Sequence, residues 1–201
     1  AKDKNVEAAI EQAKKDVADD KVCTDDARVY YQGVIAECET KLGKIREDIT
    51  TAYNEGKAVA EKENLANRIS NLYSEVVGIK AAAEANESAY KSLVEACEKA
   101  NSTWGLVYER VTSETEIPAE VLNVYMEKLN AHKATLDSVK ESILNSWSNG
   151  TAVADEAAQS DIITSVSNEL AKLNGSWTED YNEEVAEYNA STKAAFDKAH
   201  N

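Results

Sequence analysis

The sequence predicts an all-α protein built from two tandem three-helix bundles in up-down-up order. Three observations favour this class: the composition, the spacing of apolar residues and an internal repeat. The 201 residues include one proline and seven glycines, which favours long helices over a β-sandwich or a loop-rich fold. Apolar residues recur in alternating steps of four and three along most of the chain, a spacing that keeps them on one face of a helix.

The first two helices are predicted from their apolar faces and their end signals. The first carries Val6, Ile10, Ala13 and Val17. The second begins after Thr24, because threonine is a favoured N-cap residue and two acidic residues follow in the first turn. Gly56 predicts its end, since glycine is favoured just past a helix C-terminus.

The third helix is predicted to be the longest. Its apolar positions continue without a break from residue 65 to residue 111, which indicates one helix from about 57 to 113. At ~1.5 Å per residue this helix is about 85 Å long. Asn86 is a polar residue on its apolar face, and the helix either continues or bends through residues 80–88.

Two more turns divide the rest of the chain. Pro118 suits the first turn of a helix that runs to about Trp147. Asn149-Gly150-Thr151 predicts a turn followed by a helix cap. A further turn at Asn174-Gly175-Ser176 predicts a separate last helix, Trp177 to Phe196, that folds back on the second bundle.

An internal repeat appears at an offset of 94 residues. Tyr31 matches Tyr125, and Gly56-Lys57-Ala58-Val59-Ala60 matches Gly150-Thr151-Ala152-Val153-Ala154. The repeat predicts one three-helix unit over 1–83 and a second, with the fold-back helix, over 84–201.

A long helix shared between consecutive three-helix bundles resembles the spectrin repeat family. Trp104 echoes the tryptophan near the middle of that family's first helix. The resemblance implies tandem bundles, with or without a shared central helix, and it implies no particular activity.

Charge and motifs narrow the function classes. The net charge of −15 argues against a nucleic-acid partner, because phosphate binding depends on lysine and arginine. No apolar run approaches the length of a membrane span, which predicts that this segment does not insert into a membrane. The sequence has no phosphate-binding loop, no nucleophile elbow and no zinc-ligand spacing. We therefore expect a non-enzymatic chain without a metal or cofactor.

Two cysteines share the apolar seam. Cys38 and Cys97 are predicted to lie at similar heights, either as a disulfide or as two buried thiols. Cys23 is left over in both cases.

Two further pairs are candidate site residues. His132 occupies the repeat position of Cys38, which predicts a buried histidine that is hydrogen-bonded to Tyr188. Tyr30 and Trp104 either pack in the core or line a partner surface.

The predicted role is a structural spacer or protein-interaction module. The chain opens Ala1-Lys2-Asp3 without an initiator methionine, which favours a part of an exported or surface-exposed protein. Two alternatives stay open: a compact helical ligand-binding domain with a Tyr/Trp-lined groove, or a cytoplasmic coiled-coil scaffold that self-associates. The identity of the protein partner and the oligomeric state stay open in each case.

Overall fold

The structure is a computed structural model that describes the backbone of residues 2–113, 115 and 119–200. Side chains are described for the same residues except 121, 174–182, 184, 185, 196, 197, 199 and 200. Within these ranges the fold is all-α and contains no strand. The helices are α1 (Lys2–Ala18), α2 (Asp25–Asn54), α3 (Lys62–Thr112), α4 (Ala119–Ser148) and α5 (Ala152–His200). Pro118, predicted for the first turn of α4, lies outside the described residues.

The long central helix is confirmed. α3 has 51 residues and continues without interruption through residues 80–88, where the sequence left a bend open. A continuous apolar seam explains this length, because each turn of the helix has a face to bury.

Contacts within the chain define two compact units. Unit 1 comprises residues 1–91 and 144–156, and unit 2 comprises residues 92–143 and 157–201. The turn between α4 and α5 belongs to unit 1, and the repeat boundary expected between residues 83 and 84 stays a prediction.

Unit 1 contains a three-helix core. Arg46 near the end of α2 contacts Asp3 and Glu7 near the start of α1, so these helices are antiparallel. The hydroxyl of Tyr31 donates to the carbonyl of Ala82 at 3.2 Å, and burial raises the Tyr31 pKa to about 12. The core residues come from all three helices: Val6, Ile10, Ala13, Val17, Tyr31, Ile35, Cys38, Leu42, Ile45, Leu72, Val76, Ile79 and Ala83.

Unit 2 packs the second part of α3 against α4 and α5. The Nε1–H of Trp104 on α3 donates to the carbonyl of Leu129 on α4 at 2.7 Å. Gln159 on α5 donates to Ser142 on α4 at 3.0 Å, next to the turn that joins these helices. The buried apolar residues on α4 and α5 in this unit include Leu129, Leu136, Val139, Ile163, Val166 and Leu170.

The two glycine turns have the same construction, as their sequences predict. Gly56 has φ +71° and Gly150 has φ +72°, the left-handed region that glycine enters without a steric penalty. The N–H groups of Lys57 and Thr151 each return to a carbonyl five residues earlier, at 2.8 Å in both turns. This is the Schellman pattern that ends a helix and satisfies its last carbonyls.

The predicted turn at Asn174-Gly175-Ser176 is a point of difference. α5 continues through these residues as one helix to His200, so the fold-back helix from Trp177 is not a separate element. A single glycine inside a helix costs only about 1 kcal/mol relative to alanine, so it does not by itself end one. The side chains of Trp177 and Phe196 lie outside the described set.

Candidate functional site

Two polar side chains lie buried on the apolar face of α3. Asn86 is 1% exposed and Glu87 is 4% exposed. Together with Thr24, Ala27 and Tyr90 they form what we call the junction site of unit 1. The turn between α4 and α5 packs against it, with Trp147 and Ala152 in one cluster with Ala27 and Ala89.

Asn86 binds the ends of both helices that meet at this turn. Its Nδ2 donates to the Trp147 carbonyl at 2.9 Å, and its Oδ1 accepts the Ala152 N–H at 2.9 Å. The carbonyl lies in the last turn of α4 and the N–H at the first residue of α5. Backbone groups at such helix ends have no hydrogen-bond partner within their own helix. One amide therefore completes the hydrogen bonding of both ends.

Glu87 accepts hydrogen bonds from two side chains and forms an ion pair with a third. The indole Nε1–H of Trp147 donates to Oε2 at 2.8 Å, and the Thr24 hydroxyl donates to Oε1 at 3.0 Å. The Lys91 ammonium lies 3.4 Å from Oε1. Hydrogen bonds to an ionised acceptor are stronger than neutral ones, and they offset the cost of burying this carboxylate.

The hydroxyl of Thr24 has a different role from the predicted one. Thr24 is the N-cap residue of α2, but its side chain makes no cap hydrogen bond and binds Glu87 instead. The next residue, Asp25, has φ +41°, an uncommon conformation for a residue with a side chain.

Aromatic stacking completes the site. The Trp147 ring stacks on Tyr90 with 4.4 Å between centroids and 18° between planes. Offset stacked pairs of this kind add about 0.5–1.5 kcal/mol beyond the burial of their area.

Arg28 closes the neighbouring loop between α1 and α2. It donates to the carbonyls of Val17 at 3.0 Å and Cys23 at 2.8 Å, and it pairs with Asp20. Cys23 is fully buried, and burial raises its thiol pKa, so the thiol stays protonated and unreactive at neutral pH.

The turn between α4 and α5 has its own carboxylate network. The hydroxyls of Ser146 and Thr151 donate to Asp155 at 2.7 and 2.9 Å. These two hydrogen bonds, that of Ser146 above all, hold the pKa of Asp155 below its ordinary value. Asp155 thus ties the start of α5 to the end of α4.

The structure does not bring Cys38 and Cys97 together. Both are free and buried, Cys38 in unit 1 and Cys97 in unit 2. The Cys38 thiol donates to Glu75 at 3.7 Å, and the Cys97 thiol donates to the Leu136 carbonyl at 3.8 Å. Burial raises the pKa of both thiols. The two residues are therefore buried thiols, one in each unit, and they do not form a disulfide.

His132 and Tyr188 are also placed apart. His132 is half-buried, and its proximity, after that of Lys172, lowers the pKa of Glu169 on α5. Because α5 is one helix, Tyr188 lies about 28 Å further along its axis than Glu169, at ~1.5 Å per residue. The expected pairing required the turn at Asn174-Gly175-Ser176.

Tyr30 and Trp104 each have a packing role. The Tyr30 ring meets Tyr31 edge-on at 5.0 Å and lies directly against Gly150, in unit 1. Trp104, in unit 2, stacks on Tyr108 at 4.9 Å and uses its Nε1–H within the bundle. Tyr30 keeps 39% of its surface exposed, so a partner surface there stays a prediction.

Unit 1 also contains an open groove of about 460 Å³ between α1 and α3. Its walls include Ala8 and Ala9 from α1 and the exposed Tyr73 and Val77 from α3. Among the described residues that line it, one is a tyrosine and none is a tryptophan.

Comparison of the chain with protein-family models, with curated proteins and with solved structures finds no match. In the described part of the chain no group of three or more His, Cys, Asp or Glu residues is placed to hold a metal ion. The described helices include none that combines the length and apolarity needed to cross a bilayer.

Sequence reasoning found one member of the junction site and missed the others. Asn86 is visible as a polar residue at an apolar seam position. Glu87 is one of many acidic residues on helices, so nothing local distinguishes it. Its hydrogen bonds with Thr24 and Trp147 join residues that are 63 and 60 positions apart in the sequence. Only the folded chain reveals this convergence, in which the hydrogen bonds from Thr24 and Trp147 meet on one carboxylate of α3.

Proposed function

We propose that this chain is a non-enzymatic structural spacer, which holds the segments attached to it at a fixed separation. The observation that carries the proposal is α3, a single helix of 51 residues that contributes to both compact units. At ~1.5 Å per residue such a helix spans about 76 Å. An unbroken helix has a fixed length along its axis, which suits a spacer.

The junction site supports the same role. It fixes the 144–156 stretch in unit 1 through buried polar bonds from Asn86 and Glu87. Fully satisfied polar networks specify one geometry more strictly than apolar contacts do, because any displacement leaves a buried group without a partner. Rigidity of this kind suits a spacer.

A tandem, spectrin-like repeat is the architecture that we propose for the spacer. One matched feature supports it. The turns at Gly56 and Gly150, which are related by the 94-residue offset, share their backbone geometry, with φ +71° and +72°. In both turns a backbone N–H, that of Lys57 or Thr151, returns to a carbonyl five residues earlier.

The Tyr/Trp-lined groove of the ligand-binding alternative has less support. The indole N–H groups of Trp104 and Trp147 donate to groups within the protein, and their rings stack on neighbouring tyrosines. Export to the cell surface and the identity of a protein partner stay predictions.

Pulsed electron–electron spin resonance tests the proposal. Spin labels at Lys15 in unit 1 and Ser138 in unit 2 occupy exposed positions, with the three buried cysteines replaced by alanine. A spacer predicts one narrow distance distribution that does not change with protein concentration. The Ser92→Pro variant should broaden it, because proline breaks a helix interior, and the matched Ser92→Ala variant should not. A broad distribution in the parent chain would overturn the proposal.

A further inference from the structure

The turn between α4 and α5 contains an asparagine that is followed directly by a glycine. Asn149 is exposed and Gly150 has φ +72°, at a point where α4 has ended and α5 has not yet begun. Because glycine has no side chain, its backbone nitrogen can approach the amide of the preceding asparagine closely. The sequence of the turn therefore allows these two groups to react with each other.

Two hydrogen bonds hold the reacting groups apart while the turn is closed. The Asn149 Nδ2 donates to the Asn145 carbonyl at 2.9 Å, so the side-chain amide is bound to the last turn of α4. The Gly150 N–H donates to the Trp147 carbonyl at 3.2 Å. The reaction requires the Gly150 nitrogen to lose this proton and turn towards the Asn149 side chain, which breaks both bonds. Only an open form of the turn is therefore reactive.

The contacts around the turn keep it closed. Asn86 donates to the same Trp147 carbonyl that accepts from Gly150. Glu87 accepts from the Trp147 indole N–H at 2.8 Å, and the Tyr30 ring lies directly against Gly150. Local opening has to break contacts of this kind, so their number and strength set the fraction of open turns.

We propose that Asn149 is a site of spontaneous deamidation, and that the junction site and the Tyr30 ring set its rate by holding the turn closed. In the open turn the Gly150 nitrogen gives its proton to hydroxide and attacks the Asn149 Cγ. The new C–N bond closes a succinimide ring, and Nδ2 leaves as ammonia with a proton from water. Water then adds to one ring carbonyl and breaks its bond to nitrogen, which gives aspartate or isoaspartate. Water and hydroxide are the only co-reactants.

The isoaspartate product changes the turn itself. Its main chain runs through Cβ and Cγ of residue 149 and is longer by an extra carbon. The Thr151 N–H, which returns to the Ser146 carbonyl at 2.8 Å, lies beyond this insertion. The new carboxylate also places negative charge at the C-terminus of α4, where the helix dipole disfavours it. The modification therefore weakens the turn that joins α4 to α5, and it does so irreversibly.

Incubation of the full chain in mildly alkaline buffer, followed by peptide mass spectrometry, tests the proposal. Each chain, including the parent, carries Asn174→Gln, so that the turn holds its only Asn-Gly pair. Glu87→Ala should deamidate at Asn149 at least about tenfold faster than the parent, because the rate follows the open fraction. Glu84→Ala, on the exposed side of the same helix, is the matched control and should react at the parent rate.

Tyr30→Ala is a second variant, which removes the ring from Gly150 and leaves the buried carboxylate in place. It should also react faster than the parent, and circular dichroism establishes that each chain is folded. Fragmentation of the modified peptide should show isoaspartate beside aspartate, the mark of a succinimide.

Three results overturn the proposal, which is independent of the spacer function. The first is deamidation of folded Glu87→Ala at the parent rate or, if that chain unfolds, of Tyr30→Ala at the parent rate. The second is a parent chain that reacts as fast as a free peptide of residues 145–153. The third is a product that contains aspartate and no isoaspartate.

Discussion

Asn86 is a polar residue at a buried position of the apolar seam of α3. Its neighbours along the seam of α3 are buried hydrophobic residues, among them Ala83 and Leu93, and Asn86 is as buried as they are. Its amide can be buried there because it donates to one backbone carbonyl and accepts from one backbone N–H. Glu87 beside it then completes a set of contacts that no apolar pair could make.

Replacing Asn86 by an apolar residue tests this reading. The Asn86→Leu change improves the hydrophobic pattern of the seam but leaves the Ala152 N–H without its acceptor. It also removes one of the two hydrogen bonds to the Trp147 carbonyl, which keeps only that from the Gly150 N–H. We expect a loss of about 2 kcal/mol in the free energy of unfolding, measured by urea denaturation. A variant more stable than the parent would contradict the assigned role.

Glu87 offers a second test, with a matched neighbour as control. Glu87→Ala removes the acceptor for the Trp147 indole and the Thr24 hydroxyl, and we expect a loss of about 3 kcal/mol. Glu84→Ala, on the exposed side of the same helix, should change stability by less than about 0.5 kcal/mol. Equal effects of the two variants in urea denaturation would show that the carboxylate of Glu87 is not held as described.

Asp155 gives a pH-dependent prediction. Its folded-state pKa lies below the ordinary value of 3.8, so the ionised form stabilises the folded chain above that pH. This contribution is lost as the pH falls through the lowered pKa. Asp155→Asn should therefore be less stable than the parent at pH 6, and the difference should shrink below pH 3. Urea midpoints at the two pH values measure it, and a difference that grows in acid would refute the assignment.

At the scale of elements, the two glycine turns form a natural pair. Both glycines have a positive φ, but a Cβ at Gly56 meets no neighbouring atom, whereas a Cβ at Gly150 overlaps the Tyr30 ring, with Cδ1 at 2.7 Å. The turns share the backbone requirement and differ in what is packed on them.

Alanine at each glycine separates these two effects. Gly56→Ala should cost about 1–2 kcal/mol for the left-handed backbone alone. Gly150→Ala should cost at least about 1 kcal/mol more, because the Tyr30 ring must move. Adding Tyr30→Ala should remove that excess, as a double-mutant cycle of thermal melts would show. Equal costs for the two single variants would mean that Tyr30 does not pack on the turn.

Local sequence signals predict the helices well where a continuous apolar seam gives every turn of the helix a face to bury. The length of α3 and both glycine turns follow from such signals. The turn at Asn174-Gly175-Ser176 fails as a prediction because residues that favour helix ends do not by themselves force one. Local signals do not predict the contacts of Thr24 and Trp147 with Glu87, because these contacts depend on which helices meet in the fold.

At the scale of the molecule, α3 is the helix that carries the proposed spacer function, because it contributes to both units. Unit 1 takes its third helix from residues 62–91, and unit 2 takes its first from residues 92–112 of the same element. Acidic residues outnumber basic ones by 37 to 22, and their mutual repulsion favours a soluble chain that does not associate through charge alone. The proposed spacer function depends on the continuity of this helix past Asn86.

The interspin distance along α3 tests that continuity most directly. Ser70 and Leu106 are exposed positions on either side of the junction site, and both can carry a spin label. One unbroken helix places them about 54 Å apart along its axis, at ~1.5 Å per residue, and predicts a single narrow peak near that value. A markedly shorter distance, or two separate peaks, would show that the helix breaks at the junction site and would contradict the account.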